Sequence, residues 1–168
     1  MNDPRRPPPD PLRPGQESVW DFPRPPRVEP SDSQVEVIFG GNTIALSFGA
    51  LRVLETSHPP VFYLPPDGVV TDYLTKTGRT SWCEFKGTAD YYTASLGRHT
   101  AVDAAWSYAE PLAGYEALAG YFAFYPQHME ACLVDGELVM AQPGEFYGGW
   151  ITSRVAGPFK GGPGSGGW

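Results

Sequence analysis

The sequence predicts an antiparallel, mainly β domain, and three observations carry this prediction. Between residues 31 and 155, apolar and polar residues mostly alternate with a period of two, which is typical of strands with one buried face. Turn-forming residues such as Gly40-Gly41-Asn42 and Asp135-Gly136 separate these runs. Aromatic residues make up 14% of the chain and charged residues 18%, which favours a packed β-rich domain over a charged helical bundle.

The elements follow one another closely. The first predicted hairpin is QVEVIF-GGN-TIALSF, in which Gly-Gly-Asn supplies the positive φ angles of the turn. RVLET and VFYL come next, with a break at His58-Pro59-Pro60. SWCEFKG and YYTASLG are the predicted middle strands, with GTAD as the turn between them. The last strands are AAWSY, GYFAFY, MEACLV and ELVMA, and Asp135-Gly136 joins the final two. We expect short helical turns at TDYLTK and PLAGYEALAG.

The length of 168 residues is typical of one domain with flanking segments. Residues 1–30 hold ten of the 19 prolines and predict an extended arm, anchored by Trp20 and Phe22. Residues 31–155 form the predicted domain. Residues 156–168 form a glycine-rich tail, which we expect to be mobile unless Phe159 and Trp168 dock.

The charge of the chain bears on its partners and location. The net charge is −7; five arginines and five acids cancel within residues 1–30, so the rest of the chain is acidic. An acidic body predicts no nucleic-acid partner. No apolar run approaches the roughly 18 residues of a membrane span, so we expect no membrane partner. No apolar signal-peptide core is seen, which predicts a cytoplasmic location. The sequence leaves a homodimer open.

The segment TSWCEFKG raises the question of what Cys83 does. In a regular strand, Ser81, Cys83 and Phe85 share one face and Lys86 lies on the other, so Lys86 is not expected beside the thiol unless a bulge intervenes at Gly87. Three interpretations stay open for Cys83: a residue of the core or of a pocket wall, a redox-active or nucleophilic thiol, and a metal ligand. Cys132, in the apolar run ACLV, is interpreted as structural.

Other catalytic and metal motifs are not found. The three histidines of the chain are His58, His99 and His128, and none has a second ligand at i+2 or i+4 on a predicted element. No GxSxG is present, and the acidic residues lie on separate elements. We therefore expect neither a metal site nor a cofactor.

Clustered aromatic residues have two interpretations, a β core filled with rings or a pocket for a small ligand of unknown identity. In the second, Tyr and Trp side chains enclose the ligand, Lys86 and Arg52 anchor an anionic or carbonyl group, and Glu55 orients it. The candidate ligand-binding residues are Arg52, Glu55, Tyr63, Cys83, Lys86, Trp106, Tyr108, Tyr121 and Tyr125. If the domain is an enzyme, the catalytic candidates are Cys83, Lys86 and Glu55.

Four segments, in order, also resemble a known family: RVLETSHPPVFYLPPDGV, TSWCEFKGTADYY, DAAWSYAEPL and GYFAFYP. They are similar to the domain of unknown function 427 family, from about Val35 to Ala141. The matching residues are Arg52, Glu55, Pro60, Tyr63, Pro65, Thr80, Cys83, Lys86, Gly87, Trp106, Tyr108, Tyr121, Phe124 and Tyr125. Many relatives have proline at the position of Glu84.

The resemblance implies a β-tent fold, two antiparallel sheets meeting at an angle, as in the ligand-binding domain of cereblon and in B-type methionine sulfoxide reductases. The four-cysteine zinc site of those cousins cannot form from the two cysteines of this chain. The family also carries a nucleotidyltransferase-like label, which would require carboxylates gathered around magnesium. Three functions therefore stay open: a small-molecule-binding domain (a sensor, a carrier or an enzyme), a nucleotidyltransferase-like enzyme, and an interaction module that uses the proline-rich arm.

Overall fold

The computed structural model of the protein describes residues 5–168. The fold is mainly β and its sheets are mostly antiparallel, which confirms the predicted fold class with few short helical turns. The helical segments of the described residues are single 3₁₀ turns at Val19–Asp21, Pro66–Gly68, Thr71–Tyr73, Glu116–Leu118 and Pro126–His128. Within the same residues, no helix is long and apolar enough to cross a bilayer.

Fifteen strands are present in the described part of the chain. They are β1 (Glu17–Ser18), β2 (Arg27–Pro30), β3 (Val35–Phe39), β4 (Asn42–Ser47), β5 (Leu51–Leu54), β6 (Val61–Tyr63), β7 (Leu74–Cys83), β8 (Gly87–Leu96), β9 (His99–Ser107), β10 (Phe122–Phe124), β11 (Ala131–Val134), β12 (Glu137–Leu138), β13 (Met140–Ala141), β14 (Trp150–Ile151) and β15 (Val155–Ala156).

Two antiparallel four-stranded sheets form most of the structure, with strand orders β10-β9-β8-β7 and β12-β11-β3-β4. A three-stranded sheet, β2-β5-β6, meets the first of them through a bridge between Leu64 and Phe122. The pairs β1-β15 and β13-β14 complete the fold. Strands from distant parts of the sequence are thereby brought to one region at the junction of β5, β6, β8 and β9.

Two of the predicted hairpins are confirmed. Gly40 and Gly41 join β3 to β4 with φ angles of +58° and +80°. Asp135 and Gly136 join β11 to β12 with φ angles of +48° and +80°. Both central residues of each turn are thus left-handed, the backbone that a tight hairpin requires.

The prediction for the middle strands is wrong about the position of the turn. SWCEFKG is not one strand: β7 ends at Cys83, residues 84–86 form the turn, and β8 begins at Gly87 with a φ of +103°. GTAD, predicted as the turn, is the start of β8. A three-residue turn that returns through a left-handed glycine explains the difference, since the segment Glu84–Lys86 holds no typical turn residue.

Within residues 5–168, segments from both flanks of the predicted domain pack against it. Val19, Trp20 and Phe22 are buried with Leu54 and Val155. Phe159 and Trp168 lie against this cluster, and the rings of Trp20 and Trp168 are 5.5 Å apart. Residues 27–30, in the predicted arm, form β2 and pair with β5. Two larger apolar clusters form the rest of the core, and the second is dominated by Tyr and Trp side chains.

Candidate functional site

The second apolar cluster, called the aromatic cluster below, contains Tyr63, Tyr91, Trp106, Tyr108, Tyr115 and Tyr125. A cavity of about 290 Å³ lies over it. Its walls come from β5 and β6, from the β7–β8 hairpin, from β9, and from the C-terminal segment between Gln142 and Lys160. This volume lies near the lower end of the range for small-molecule pockets.

The structure brings together most of the predicted ligand-binding residues at this cavity. Those that line it are Glu55, Tyr63, Cys83, Lys86, Trp106, Tyr108 and Tyr125. Arg52 and Tyr121 do not line it. Tyr121 is half-buried and packs against the aromatic cluster. Arg52 points to another side of β5, where it pairs with Glu17 at 2.9 Å and with Glu29.

The aromatic wall is held by ring contacts and hydrogen bonds. Trp106 Nε1 donates to the Tyr63 hydroxyl at 3.1 Å, and the Trp106 and Tyr125 rings are 4.6 Å apart. The Tyr125 hydroxyl donates to the carbonyl oxygen of Phe146 at 3.0 Å. Burial raises the pKa of Tyr63, Tyr108 and Tyr125, so these hydroxyls are neutral at neutral pH. The wall is therefore an uncharged surface suited to a planar group.

Gly148 allows the C-terminal segment to close over this wall. A Cβ atom at Gly148 would lie 2.2 Å from Cη2 of Trp106, a distance that no side chain tolerates. The backbone at residue 148 therefore packs directly on the indole, and the neighbouring Phe146 and Tyr147 form the far side of the cavity.

Lys86 supplies an ammonium group to the cavity. Its Nζ lies 5.9 Å from the centre of the Tyr108 ring. Burial acts to lower the pKa of Lys86, but Tyr63, Cys83 and Glu55 outweigh it, so the pKa is raised above its ordinary value and the group is cationic. Among residues 5–168, no carboxylate lies within ion-pair distance of this Nζ.

Because the chain turns between them, Cys83 and Lys86 are neighbours rather than residues on opposite faces of one strand. Cys83 is half-buried and contributes to the rise in the pKa of Lys86. Strict alternation, which placed Lys86 away from the thiol, does not apply across the turn. The second cysteine, Cys132, is buried in β11, and burial raises its pKa to about 12.

Glu55 and His58 form the polar end of the cavity. Arg24 Nε donates to Glu55 Oε2 at 3.1 Å, and His58 Nε2 lies 3.7 Å from the same oxygen. Gln142 Nε2 lies 3.0 Å from His58 Nδ1. An amide nitrogen only donates, so Nδ1 is the acceptor and the neutral ring carries its proton on Nε2.

The orientation of Gln142 is itself fixed. Its Oε1 accepts from the Gly149 amide at 3.1 Å, and its Nε2 also donates to the Lys160 carbonyl at 2.8 Å. Burial lowers the pKa of His58 to about 4, and Lys160, Arg24 and Lys86 contribute to this decrease against the opposing charge of Glu55. His58 is therefore a neutral hydrogen-bond donor whose other nitrogen is already occupied.

The family model for the domain of unknown function 427 matches residues 27–135. The chain belongs to the DUF427 family. No curated protein matches the chain. The residues that this DUF427 protein shares with its family model include the β7–β8 hairpin, the aromatic wall and Glu55, whereas the C-terminal wall lies beyond the match.

Several lining residues of this DUF427 protein are not among the predicted ones, and His58, Gln142, Phe146, Tyr147 and Lys160 are examples. The last four of these lie beyond residue 135, so neither local periodicity nor the family motifs mark them. His58 lacks metal-ligand spacing in the sequence. Its hydrogen-bond partner is the side-chain amide of Gln142, which is distant in sequence. The sequence offers one weak signal for Lys160, which is that lysine is rare in this chain: it has three lysines in all.

Proposed function

We propose that this DUF427 protein binds a small planar molecule that carries a carbonyl or acid oxygen. The observation that carries the proposal is Lys86, an ammonium group without a carboxylate partner among the described residues, set against a wall of neutral aromatic rings. In such a site the rings contact the planar body and the ammonium binds the oxygen. Glu55, positioned by Arg24, accepts a hydrogen bond from the ligand.

The nucleotidyltransferase-like alternative needs acidic side chains around a metal ion. Within residues 5–168, no three or more His, Cys, Asp and Glu side chains are grouped so that they could hold one. Glu55, the acidic candidate of the cavity, is instead engaged by a guanidinium group. We therefore propose binding as the function and treat nucleotide binding as an outcome of the test.

The test is a thermal-shift and calorimetric screen of the full chain. Benzoate and benzamide present a planar ring with an acid or carbonyl oxygen, benzyl alcohol lacks that oxygen, and cyclohexanecarboxylate lacks the planar ring. ATP with and without Mg²⁺ completes the panel. A ligand at 100 times its Kd adds about 2.7 kcal/mol to the free energy of unfolding. We expect benzoate or benzamide to raise Tm more than the two matched compounds do.

Two lysine variants decide whether the binding is at this cavity. Lys86→Met removes the ammonium and keeps the apolar stem, and it should abolish the shift. Lys76→Met makes the same change at an exposed lysine that lies 3.5 Å from Asp90, and it should leave the shift intact. Failure of all the planar compounds, or equal shifts in both variants, would overturn the proposal. If ATP is the one compound that raises Tm, and does so only with Mg²⁺, the result would indicate the nucleotidyltransferase-like enzyme instead.

A further inference from the structure

A second ammonium group lines the same cavity. Of the three lysines in the chain, Lys76 lies 3.5 Å from Asp90. For Lys86 and Lys160, no Asp or Glu carboxylate of residues 5–168 lies within ion-pair distance, and both line the cavity. The net charge of the protein is −7, so two such lysines at one cavity stand out against an acidic background.

The Lys160 side chain is held in place and still has hydrogen-bonding capacity. Its Nζ donates to the backbone oxygen of Trp168 at 3.1 Å and lies 5.9 Å from the centre of the Tyr147 ring. An ammonium group carries three N–H donors. One is used by the Trp168 oxygen, so the group can still donate to a ligand.

His58 adds a neutral donor to the same end of the cavity. Its Nε2 is 3.7 Å from the Glu55 carboxylate, beyond hydrogen-bonding distance, and its Nδ1 is occupied by the buried Gln142. The charge of Glu55 is offset by Arg24 at 3.1 Å. Three cations, Lys86, Lys160 and Arg24, thus lower the pKa of His58, and one carboxylate, that of Glu55, raises it.

We infer that Lys160 and His58, together with Lys86, form a subsite for a dianion, so that the ligand is a planar acid with two negative charges. Its class is an aromatic phosphate monoester or an aromatic dicarboxylate. This inference rests on the proposed function and narrows it. Because Gln142 and Lys160 follow residue 135, the C-terminal segment outside the family match supplies this half of the site.

Calorimetric titration of the full chain with benzoate, isophthalate and phenyl phosphate tests the inference. At about pH 8 the phosphate ester carries two negative charges, since its second pKa is about 6. A further hydrogen bond between charged groups gives about tenfold or more in affinity. We expect isophthalate or phenyl phosphate to bind at least about tenfold more tightly than benzoate, and whichever of the two does so identifies the dicarboxylate or the phosphate ester.

The variants separate this inference from the proposed function. Lys160→Gln keeps a donor for the backbone oxygen of Trp168 but removes the charge, so it should remove the preference for the dianions over benzoate. Lys160→Arg should retain the preference, and Lys76→Gln should have no effect. If benzoate binds and the dianions bind no more tightly, or if Lys160→Gln keeps the preference, the inference fails and the proposed function stands. If none of the three compounds binds and benzamide does not bind either, both fail.

Discussion

Cys83 pairs with Gly87 across the turn formed by residues 84–86, and this pairing sets Lys86 beside the thiol at the cavity. The turn also explains why Gly87 stands where it does. Its φ of +103° is in the region that favours glycine. A Cβ atom there would lie 3.2 Å from Cγ of Leu112, whose amide donates to the Lys86 carbonyl at 3.0 Å. The position of Lys86 therefore depends on Gly87.

We expect Gly87→Ala to lower the free energy of unfolding by about 2 kcal/mol, because alanine is strained at positive φ and its methyl group presses on Leu112. Urea denaturation measures the change. Gly78→Ala is the matched control: Gly78 lies in β7 with a φ of +86° and no atom within 4 Å of a built Cβ, so about 1 kcal/mol from the backbone alone is expected. Equal losses of unfolding free energy in the two variants would show that Leu112 accommodates the added methyl group at no energetic cost.

The sequence predicts the β class and two hairpins because Gly-Gly-Asn and Asp-Gly are residue types that favour the positive φ angles of tight hairpin turns. The β7–β8 turn has no such signal. Glu84, Phe85 and Lys86 are not turn formers, and the glycine that makes the turn is the first residue of the next strand. The position of this turn is set by pairing between β7 and β8, which residue types do not reveal.

The aromatic wall of the candidate site could be predicted, since clustered Tyr and Trp residues recur on the strands that converge there. The C-terminal wall could not. Gln142 contacts His58 over 84 positions of sequence, and Gly148 packs on Trp106 from a loop. Arg52 is predicted at the cavity as a cation that could bind an anion and as a residue of the family motif, but it forms ion pairs with Glu17 and Glu29 on another side of β5.

The buried His58 predicts a specific pH dependence of stability. Its pKa is about 4 in the folded protein, against 6.5 ordinarily, so between these values the unfolded chain binds a proton that the folded protein does not. Stability therefore rises with pH across this window and falls as the pH is lowered from 6.5 to 4. The slope of about 1.4 kcal/mol per pH unit gives a total loss of about 3 kcal/mol. Urea denaturation at a series of pH values measures it.

His58→Gln removes the titrating group and should flatten the stability profile between pH 6.5 and 4 relative to the unmodified protein. His99→Gln, which replaces an exposed histidine on β9, should leave the slope in place. A slope that survives in His58→Gln would assign the acid sensitivity to other groups and remove the argument that His58 is held neutral by burial.

Arg52 is expected to stabilise the fold and to have no effect on the cavity. Its side chain is 17% exposed and links Glu17 and Glu29, which precede it on β1 and β2. Arg52→Met should lower the free energy of unfolding by about 1 kcal/mol at neutral pH, near the upper end for exposed ion pairs because the guanidinium is mostly buried. The hydrogen bond from Arg52 lowers the pKa of Glu29.

The stabilisation that Arg52 provides is therefore present above the ordinary carboxylate pKa of 4.5 and is lost as the pH falls toward the lower folded value. The difference in the free energy of unfolding between Arg52→Met and the unmodified protein should therefore narrow as the pH falls. Arg27→Met, which removes a more exposed pair with Glu29, is the control and should have a smaller effect. Benzoate affinity should be unchanged in Arg52→Met. A weakened affinity would place Arg52 at the ligand, as the sequence analysis predicts.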